Sequence, residues 1–348
     1  MMTADISLFD LDDASDADLR GQYDLAVAAF AVDRPDAPKP DYDTFVGRLR
    51  AIPPGVSRQW CWVARRRGRM AGIAITQLPE SENDNSVVVD VRVLPELRRQ
   101  GIGTALLGRA LSESPVGGRE LVVGRGVTAG GDGEQWIRAL GFTVVQRVTL
   151  QLLTIGEADP ALWEVPVPPG HRLERWTGTA PDALVESYAR ARGAIHDAPT
   201  GDSSYRHPHW SVSSVRQAEQ DARRRGVEHR TVVVVHEASD AVVGLTELEI
   251  FPGMPGTAVQ QDTAVMPGHR GRGLGRTVKA AMMRWLLAER PEIAVVVTNV
   301  DASNDHMTRV NHQLGYATTR TMLTAEAALG ALESRLGAPE SAPPPPAS

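Results

Sequence analysis

Apolar positions recur at helical spacing over residues 16–30 and 42–50, then give way to the β-branched runs and two-residue alternation of strands over 60–64, 70–78 and 87–93. A helix is expected over 101–112, a strand over 120–123, a short helix near Gln135 and a strand over 143–153. Residues 156–170, with Pro160, Pro166, Pro168 and Pro169, lose periodicity and read as a boundary. The succession then begins again, with helices over 181–192 and 212–225 and strands over 231–236, 242–250 and 258–265. A long helix over 273–289, a strand over 293–298, a helix over 304–313, a strand from Tyr316 and a helix over 325–335 complete it. The expected organisation is a mixed α/β chain of two like units, 1–155 and 171–338, joined by 156–170. Residues 339–348, which include four consecutive prolines, are expected to be a disordered tail.

The recurrence extends to a motif. Asp90-Val91-Arg92-Val93-Leu94-Pro95-Glu96-Leu97-Arg98-Arg99-Gln100-Gly101-Ile102-Gly103 aligns with Asp262-Thr263-Ala264-Val265-Met266-Pro267-Gly268-His269-Arg270-Gly271-Arg272-Gly273-Leu274-Gly275 at a constant offset of 172 residues. Each copy is followed by an apolar helical stretch and later by a matching step, Leu140-Gly141-Phe142 and Leu314-Gly315-Tyr316. An internal repeat of this kind sets the architecture before other considerations. Its local physics suits a phosphate: a strand ends at Pro, the chain turns, and a helix opens at glycine, so unpaired N–H groups point outward together. Glycines let the backbone approach an anion closely, and the flanking arginines add charge.

The two segments Arg98-Arg99-Gln100-Gly101-Ile102-Gly103 and Arg270-Gly271-Arg272-Gly273-Leu274-Gly275 resemble the Arg/Gln-x-x-Gly-x-Gly/Ala signature of the GNAT N-acetyltransferase superfamily. In tandem over nearly the whole chain, they resemble the double-GNAT proteins of actinobacteria. That resemblance implies two tandem acyl-CoA-binding folds of α/β (α+β) class, each a mixed, mostly antiparallel sheet flanked by helices. It implies acetyl-CoA as acyl donor and no metal. The residues implied to hold the coenzyme are Val265, Arg270, Gly271, Arg272, Gly273, Leu274, Gly275, Arg276 and Asn304 in the second half, and Val93, Arg98, Arg99, Gly101, Gly103 and Thr104 in the first. In the family's geometry the backbone N–H of Val265 would polarise the thioester carbonyl.

A dinucleotide-binding turn is the nearest rival on motif grounds. That fingerprint needs a third glycine and an acidic residue ending the next strand. Leu106 and Val278 occupy the third position, and Glu120 opens its strand instead of ending it.

Composition narrows the function further. Apolar residues make 42% and charged residues 23% of the chain, ordinary for globular domains, and 348 residues suffice for two cores. The formal charge of −6 argues against general nucleic-acid binding. No apolar run reaches the roughly 20 residues of a bilayer span. The acidic start, with Asp5, Asp10, Asp12 and Asp13, has no leader pattern, so a cytoplasmic protein without membrane partners is expected, as monomer or homodimer. Cys61, the single cysteine, excludes an internal disulfide and reads as a core residue. Arg65, Arg66, Arg67 and Arg69 form the one basic cluster, placed in a hairpin turn, where they are solvated or meet the coenzyme's acidic groups. His207 and His209 with His196 lack further ligands at metal spacing, which leaves them a capping or surface role.

The halves are unequally equipped. Beyond its fifth strand the second half offers Thr298, Asn299, Asn304, Met307 and Asn311, whereas the first has Gly124, Arg125, Gly126 and a glycine-led short helix. Turnover is therefore assigned to the second half, and the first is read as a degenerate copy. Acetylating an amine requires removing a proton from an ammonium of pKa about 10.4, a task for a carboxylate. In Leu245-Thr246-Glu247-Leu248-Glu249-Ile250, a strand presents Glu247 and Glu249 on one face, as candidate bases or as a merely solvated edge. The resemblance adds that this strand supplies the base in several relatives. It also implies a Tyr four residues before the glycine of the Leu-Gly-aromatic step as thiol acid, but Asn311 and Ile137 stand there. Asn311 is left to orient the departing sulfur. His196, Asp197 and the segment 205–210 are placed near the acceptor. The expected activity is transfer of an acetyl group from acetyl-CoA to a primary amine of a small molecule, with antibiotic modification, secondary metabolism and mycothiol-like thiol synthesis all open. The alternative is a non-catalytic acyl-CoA sensor or scaffold.

Overall fold

The computed structural model describes residues 4–35, 39, 41–50, 52–53, 55–254 and 256–337; the proline-rich tail expected over 339–348 lies outside them. The elements run β1 (Asp5–Phe9), α1 (Asp16–Asp33), α2 (Tyr42–Arg50), β2 (Val56–Arg66), β3 (Arg69–Pro79), β4 (Ser86–Val93), α3 (Ile102–Glu113), β5 (Leu121–Thr128), α4 (Asp132–Ala139) and β6 (Thr143–Thr154). They continue as β7 (His171–Thr177), α5 (Asp182–Arg192), α6 (Val212–Arg224), β8 (Glu228–His236), β9 (Ala241–Ile250), β10 (Thr257–Val265), α7 (Leu274–Glu289), β11 (Val295–Asp301), α8 (Asp305–Gln313), β12 (Ala317–Ala328) and α9 (Leu329–Leu336). Two compact units result, drawn from Met1–Gln146, Asp202–Tyr205 and Met322–Ser348, and from Arg147–Gly201 and Arg206–Thr321.

In the first unit the strand order is β1-β2-β3-β4-β5-β12, antiparallel except for β4 and β5. The β2–β3 turn is two residues, Arg67 and Gly68, both with positive φ (52° and 78°), the conformation that matches the twist of a tight hairpin. The basic cluster thus lies where expected, and Arg65 is paired with Asp18 at 2.6 Å. Cys61 is 2% exposed, and burial pushes its thiol up to about 12, so it is an inert core residue.

In the second unit the order is β7-β8-β9-β10-β11-β6, antiparallel except for β10 and β11. The helix α7 turns Leu274, Val278, Met282 and Leu286, spaced at whole turns, onto a core with Val232, Val234 and Leu248. The opposite face of β8 and β9 is covered by α5 through Leu184, Tyr188, Val233 and Leu245. Both units belong to the expected fold class, a mostly antiparallel mixed sheet flanked by helices.

Several elements differ from their sequence reading. β1 and β7 were not apparent, being short outer strands with mixed polarity. The alanine-rich stretch over 325–328 continues β12 instead of opening a helix, because its ladder with β5, Ala325 opposite Gly124 to Ala328 opposite Leu121, overrides local propensity. Within 156–170 the turn Pro160–Trp163 anchors Trp163 in the second unit's core, 1% exposed, with its Nε1 donating to the Leu314 carbonyl at 3.0 Å.

Candidate active site

In each unit the two parallel strands pair only at their beginnings. β4 meets β5 over Ser86–Val89, and β10 meets β11 over Thr257–Val259, after which no pairing continues. Met266 N–H donates to the Val243 carbonyl at 2.9 Å. Because N–H directions alternate along an antiparallel ladder, the N–H of Val265 points away from β9 and into the gap beside β11. Leu94 N–H donating to the Ala71 carbonyl at 3.0 Å gives Val93 the same orientation.

The loop beyond each strand has the geometry of an anion cradle. Gly101 (φ 82°) and Gly273 (φ 78°) are left-handed caps of α3 and α7, and neither N-cap has a side chain to occupy the N–H groups of the first turn. A Cβ on Gly101, Gly271 or Gly273 would meet nothing within 4 Å, so the loop surface at these glycines is open. Leu274 is buried beneath the second loop, and Gly275 packs towards Val265. In the first unit Gly103 lies against Trp136, whose Nε1 donates to Thr104 Oγ1 at 3.1 Å. Val93, Arg98, Gly101, Gly103 and Thr104 line a cavity of about 450 Å³ there. These residues fit a pyrophosphate-bearing coenzyme.

The arginines divide by role. Arg270 donates from Nε to the Val265 carbonyl at 2.9 Å and from Nη2 to Asp197 at 2.6 Å. Arg98 repeats this with the Val93 carbonyl at 3.3 Å and both oxygens of Asp33 at 2.8 and 2.7 Å. The first arginine of each signature therefore braces the loop against its own strand. Arg99 reaches Gln135 at 3.2 Å, Arg272 lies on the exposed loop, and Arg276 has a buried Nε without a partner.

The acceptor side of the second unit carries a dense polar network. Glu247 is 1% exposed; its Oε1 accepts from the Tyr188 hydroxyl and its Oε2 from Arg192 at 2.9 Å. The Arg192 guanidinium lies 3.3 Å from the centre of the Trp210 ring. His229 on β8 stands between the two glutamates, 3.8 Å from Glu247 and 3.6 Å from Glu249. Burial works against a charged imidazole, but the hydrogen bond to Glu249 and both carboxylate charges hold its pKa above the usual value. Glu249 is raised by burial but more strongly lowered by His229 and by Gln261, which donates at 2.7 Å. Burial together with the Glu247 charge raises the Tyr188 hydroxyl well above its ordinary range. The expected common face of Glu247 and Glu249 is present, and it is interior, not a solvated edge.

Sequence reasoning missed Asp262. Gln260 pairs with Leu248 and Thr263 with Thr246, so Gln261 and Asp262 together oppose the single residue Glu247. This bulge re-aims side chains. Burial and the Glu247 charge, with a further contribution from Glu249 and opposition from Arg192, push the Asp262 carboxyl up to about 6. Its counterpart Asp90 is tied to Arg92. Arg192 and Tyr188 were also missed, since α5 gives no local signal of what it faces.

Two further candidates have partners within the fold. Asn304 caps α8, its Oδ1 accepting from Met307 N–H at 3.0 Å. Asn311 is fully enclosed and donates to Gln151 of β6 at 2.7 Å, on the side of β11 away from β10. Ile137 is a core residue of the first unit. His196 stacks on His207 with ring centres 5.9 Å apart. Among the described residues, no group of three or more His, Cys, Asp or Glu is arranged to hold a metal, and no helix is long and apolar enough to cross a membrane.

Comparison with known proteins gives the family and the fold. The model of the acetyltransferase (GNAT) family matches residues 23–116 and 193–316. Mycothiol acetyltransferase of Mycobacterium marinum (strain ATCC BAA-535 / M) is 25% identical over 266 residues, covering 71% of this chain and 76% of the relative. The mycothiol acetyltransferase of Nocardia farcinica (strain IFM 10152) is 28% identical over 269 residues, covering 76% and 80%. A solved tandem GNAT protein from the clavulanic acid biosynthesis pathway superposes with a TM-score of 0.75 at 27% identity, covering 94% of this chain and 99% of that one. A GCN5-related N-acetyltransferase from Sphaerobacter thermophilus shares the fold, with a TM-score of 0.70 at 16% identity over 94% and 96% of the chains.

Proposed function

The chain belongs to the acetyltransferase (GNAT) family and is an N-acetyltransferase, and from that premise we propose that its second unit transfers the acetyl group of acetyl-CoA to a primary amine of a small cationic acceptor by direct attack. One observation carries this reading: the gap-facing N–H of Val265 lies on the same strand as Asp262, beside the buried carboxylate of Glu247 and the half-buried one of Glu249. An N–H aimed at a developing oxyanion and a carboxylate-rich wall beside it are the two requirements of amine acylation.

Acetyl-CoA supplies an activated thioester. The N–H groups from Gly271 to Arg276 would cradle its pyrophosphate, with Arg272 and Arg276 adding charge and Arg270 bracing the loop. The acidic wall attracts an ammonium group and takes its proton. The thiol of pKa about 8.5 leaves as thiolate without a dedicated acid. Acceptors of the kind named for the mycothiol acetyltransferase relatives head the candidates.

For the first unit a second reading is favoured by its own residues. It has the loop and the cavity of about 450 Å³, but Ile75 and Gln77 occupy the places of Glu247 and Glu249 at the 172-residue offset. It holds acyl-CoA through Arg99, Gly101, Gly103 and Thr104 without turnover, as a sensor or a structural copy. Calorimetric titration of acetyl-CoA into the wild type, Gly101→Val and Gly273→Val, with thiol release measured over an amine panel, tests both readings. Loss of amine-dependent thiol release in Gly273→Val alone is the expected outcome. Saturable binding with no amine-dependent release from the wild type would leave a sensor.

A further inference from the structure

We propose that Asp262 is the residue that takes the proton from the acceptor's ammonium, with Glu247 and Glu249 forming the acidic wall beside it. This rests on the acetyl-transfer reading of the second unit and assigns the base within it. The argument begins with what each carboxylate is doing. Glu247 is enclosed, with one oxygen taken by Tyr188 and the other by Arg192, so an acceptor cannot reach it without dismantling the network. Glu249 is held by His229 and Gln261. Asp262 is half-buried and, among the described residues, no hydrogen bond or ion pair engages its carboxylate.

Placement supports the assignment. The bulge sets Asp262 across from Glu247, and it lies three residues before Val265 on the same strand, roughly 10 Å along the backbone. A primary amine attacking a carbonyl held at the Val265 N–H can therefore reach the Asp262 carboxylate directly or through one water. The groups facing Asp262 are Glu247 and Glu249 from β9 and Arg192 from α5, with Tyr188 of α5 and His229 of β8 behind them on the glutamates. Burial, together with two carboxylates set against one guanidinium, raises its proton affinity, so the Asp262 carboxylate is a stronger proton acceptor near neutral pH than an ordinary aspartate.

The step balances as follows. An Oδ of Asp262 takes one proton from the ammonium, and the freed nitrogen lone pair forms the C–N bond to the thioester carbon. The C–S bond breaks with its electron pair on sulfur, and the second nitrogen proton passes through water to the thiolate. Asp262 returns its proton to solvent.

The test compares wild type with Asp262→Asn and Glu249→Gln, using acetyl-CoA and two nucleophiles: hydroxylamine, already neutral at neutral pH, and the primary alkylamine giving the fastest thiol release in the panel. Calorimetric binding of acetyl-CoA, measured in a Gly101→Val background that silences the first unit, confirms that the second unit of each variant is folded. With the alkylamine, Asp262→Asn is expected to lower kcat at least ~100-fold with little change in KM. The wild-type rate should rise with pH through about 6, and that limb should be absent in the variant. Release supported by hydroxylamine should fall far less. An Asp262→Asn enzyme that keeps the alkylamine rate and the pH limb overturns the assignment while leaving acetyl transfer standing. A wild type that releases thiol with no nucleophile overturns both. Should Asn perturb the bulge, Asp262→Ser is read by the same outcomes.

Discussion

Arg192 and Glu247 form an ion pair at 2.9 Å in which the glutamate side chain is 1% exposed and the arginine side chain 11%. Each partner has been taken out of water, so removing one strands the other, which costs more than the pair contributes over a well-packed apolar substitute. Glu247→Ala is expected to destabilise the second unit by about 3–5 kcal/mol in urea unfolding. The double variant Arg192→Met with Glu247→Leu should recover most of that loss. Equal losses in the single and double variants would show that the pair's charges are not what matters.

Stability should depend on pH in a direction set by the same cluster. The native state holds a proton on Asp262 up to about 6, whereas the unfolded chain releases it near 3.8. Between those values the native state binds more protons, so stability falls as pH rises, and the contribution is gone above the native value. His229, raised above 6.5, contributes in the same sense: its share is complete below 6.5 and is lost as pH rises through the native value. Glu249 works oppositely, its share present above 4.5 and lost as pH falls through its lowered native value. Melting temperature should therefore decline from about pH 5 to about pH 8 in wild type and decline less in Asp262→Asn. An identical decline in both would exclude Asp262 as a contributor.

How far the site was legible in the sequence follows from what each residue's position depends on. The common face of Glu247 and Glu249 follows from the two-residue period of a strand, and the left-handed caps at Gly101 and Gly273 follow from glycine placement. Asp262 depends on one extra residue in β10, which the period of the strand does not reveal. Arg192 and Tyr188 reach Glu247 across 55 and 59 residues, a proximity that only the packing of α5 on β9 creates. The spacing of Asn311 from Gly315 was legible, but the contact of its side chain with Gln151 was not.

The repeat itself predicts a stability difference at one loop position. Arg99 has φ 62° and its counterpart Gly271 has φ 75°. A side chain in this left-handed region costs roughly 1–2 kcal/mol, partly offset by the greater freedom glycine has when unfolded. Arg99→Gly should leave the first unit unchanged or more stable by up to about 1 kcal/mol, while Gly271→Ala should lose about that amount from the second. Destabilisation by Arg99→Gly would mean that the exposed contact to Gln135 outweighs the backbone term.

A second pair of equivalent glycines is held by close packing instead of backbone angle. Gly72 on β3 and Gly244 on β9 lie 172 residues apart, each beneath the helix that follows its phosphate loop. A Cβ on Gly72 would come within 2.8 Å of Leu106 Cδ1 and 3.0 Å of the Arg92 carbonyl oxygen. At Gly244 the nearest atom is Val265 Cγ2 at 3.4 Å, an ordinary contact. Leu106 is fully buried in the first unit's core, so its methyl has nowhere to retreat, and the carbonyl belongs to the β4 ladder. Gly72→Ala is therefore expected to cost about 1–3 kcal/mol by overpacking, and Gly244→Ala much less. Chemical denaturation of the two variants checks the order, and a Gly244→Ala variant less stable than Gly72→Ala would show that the second unit, not the first, has the tighter seat for its helix.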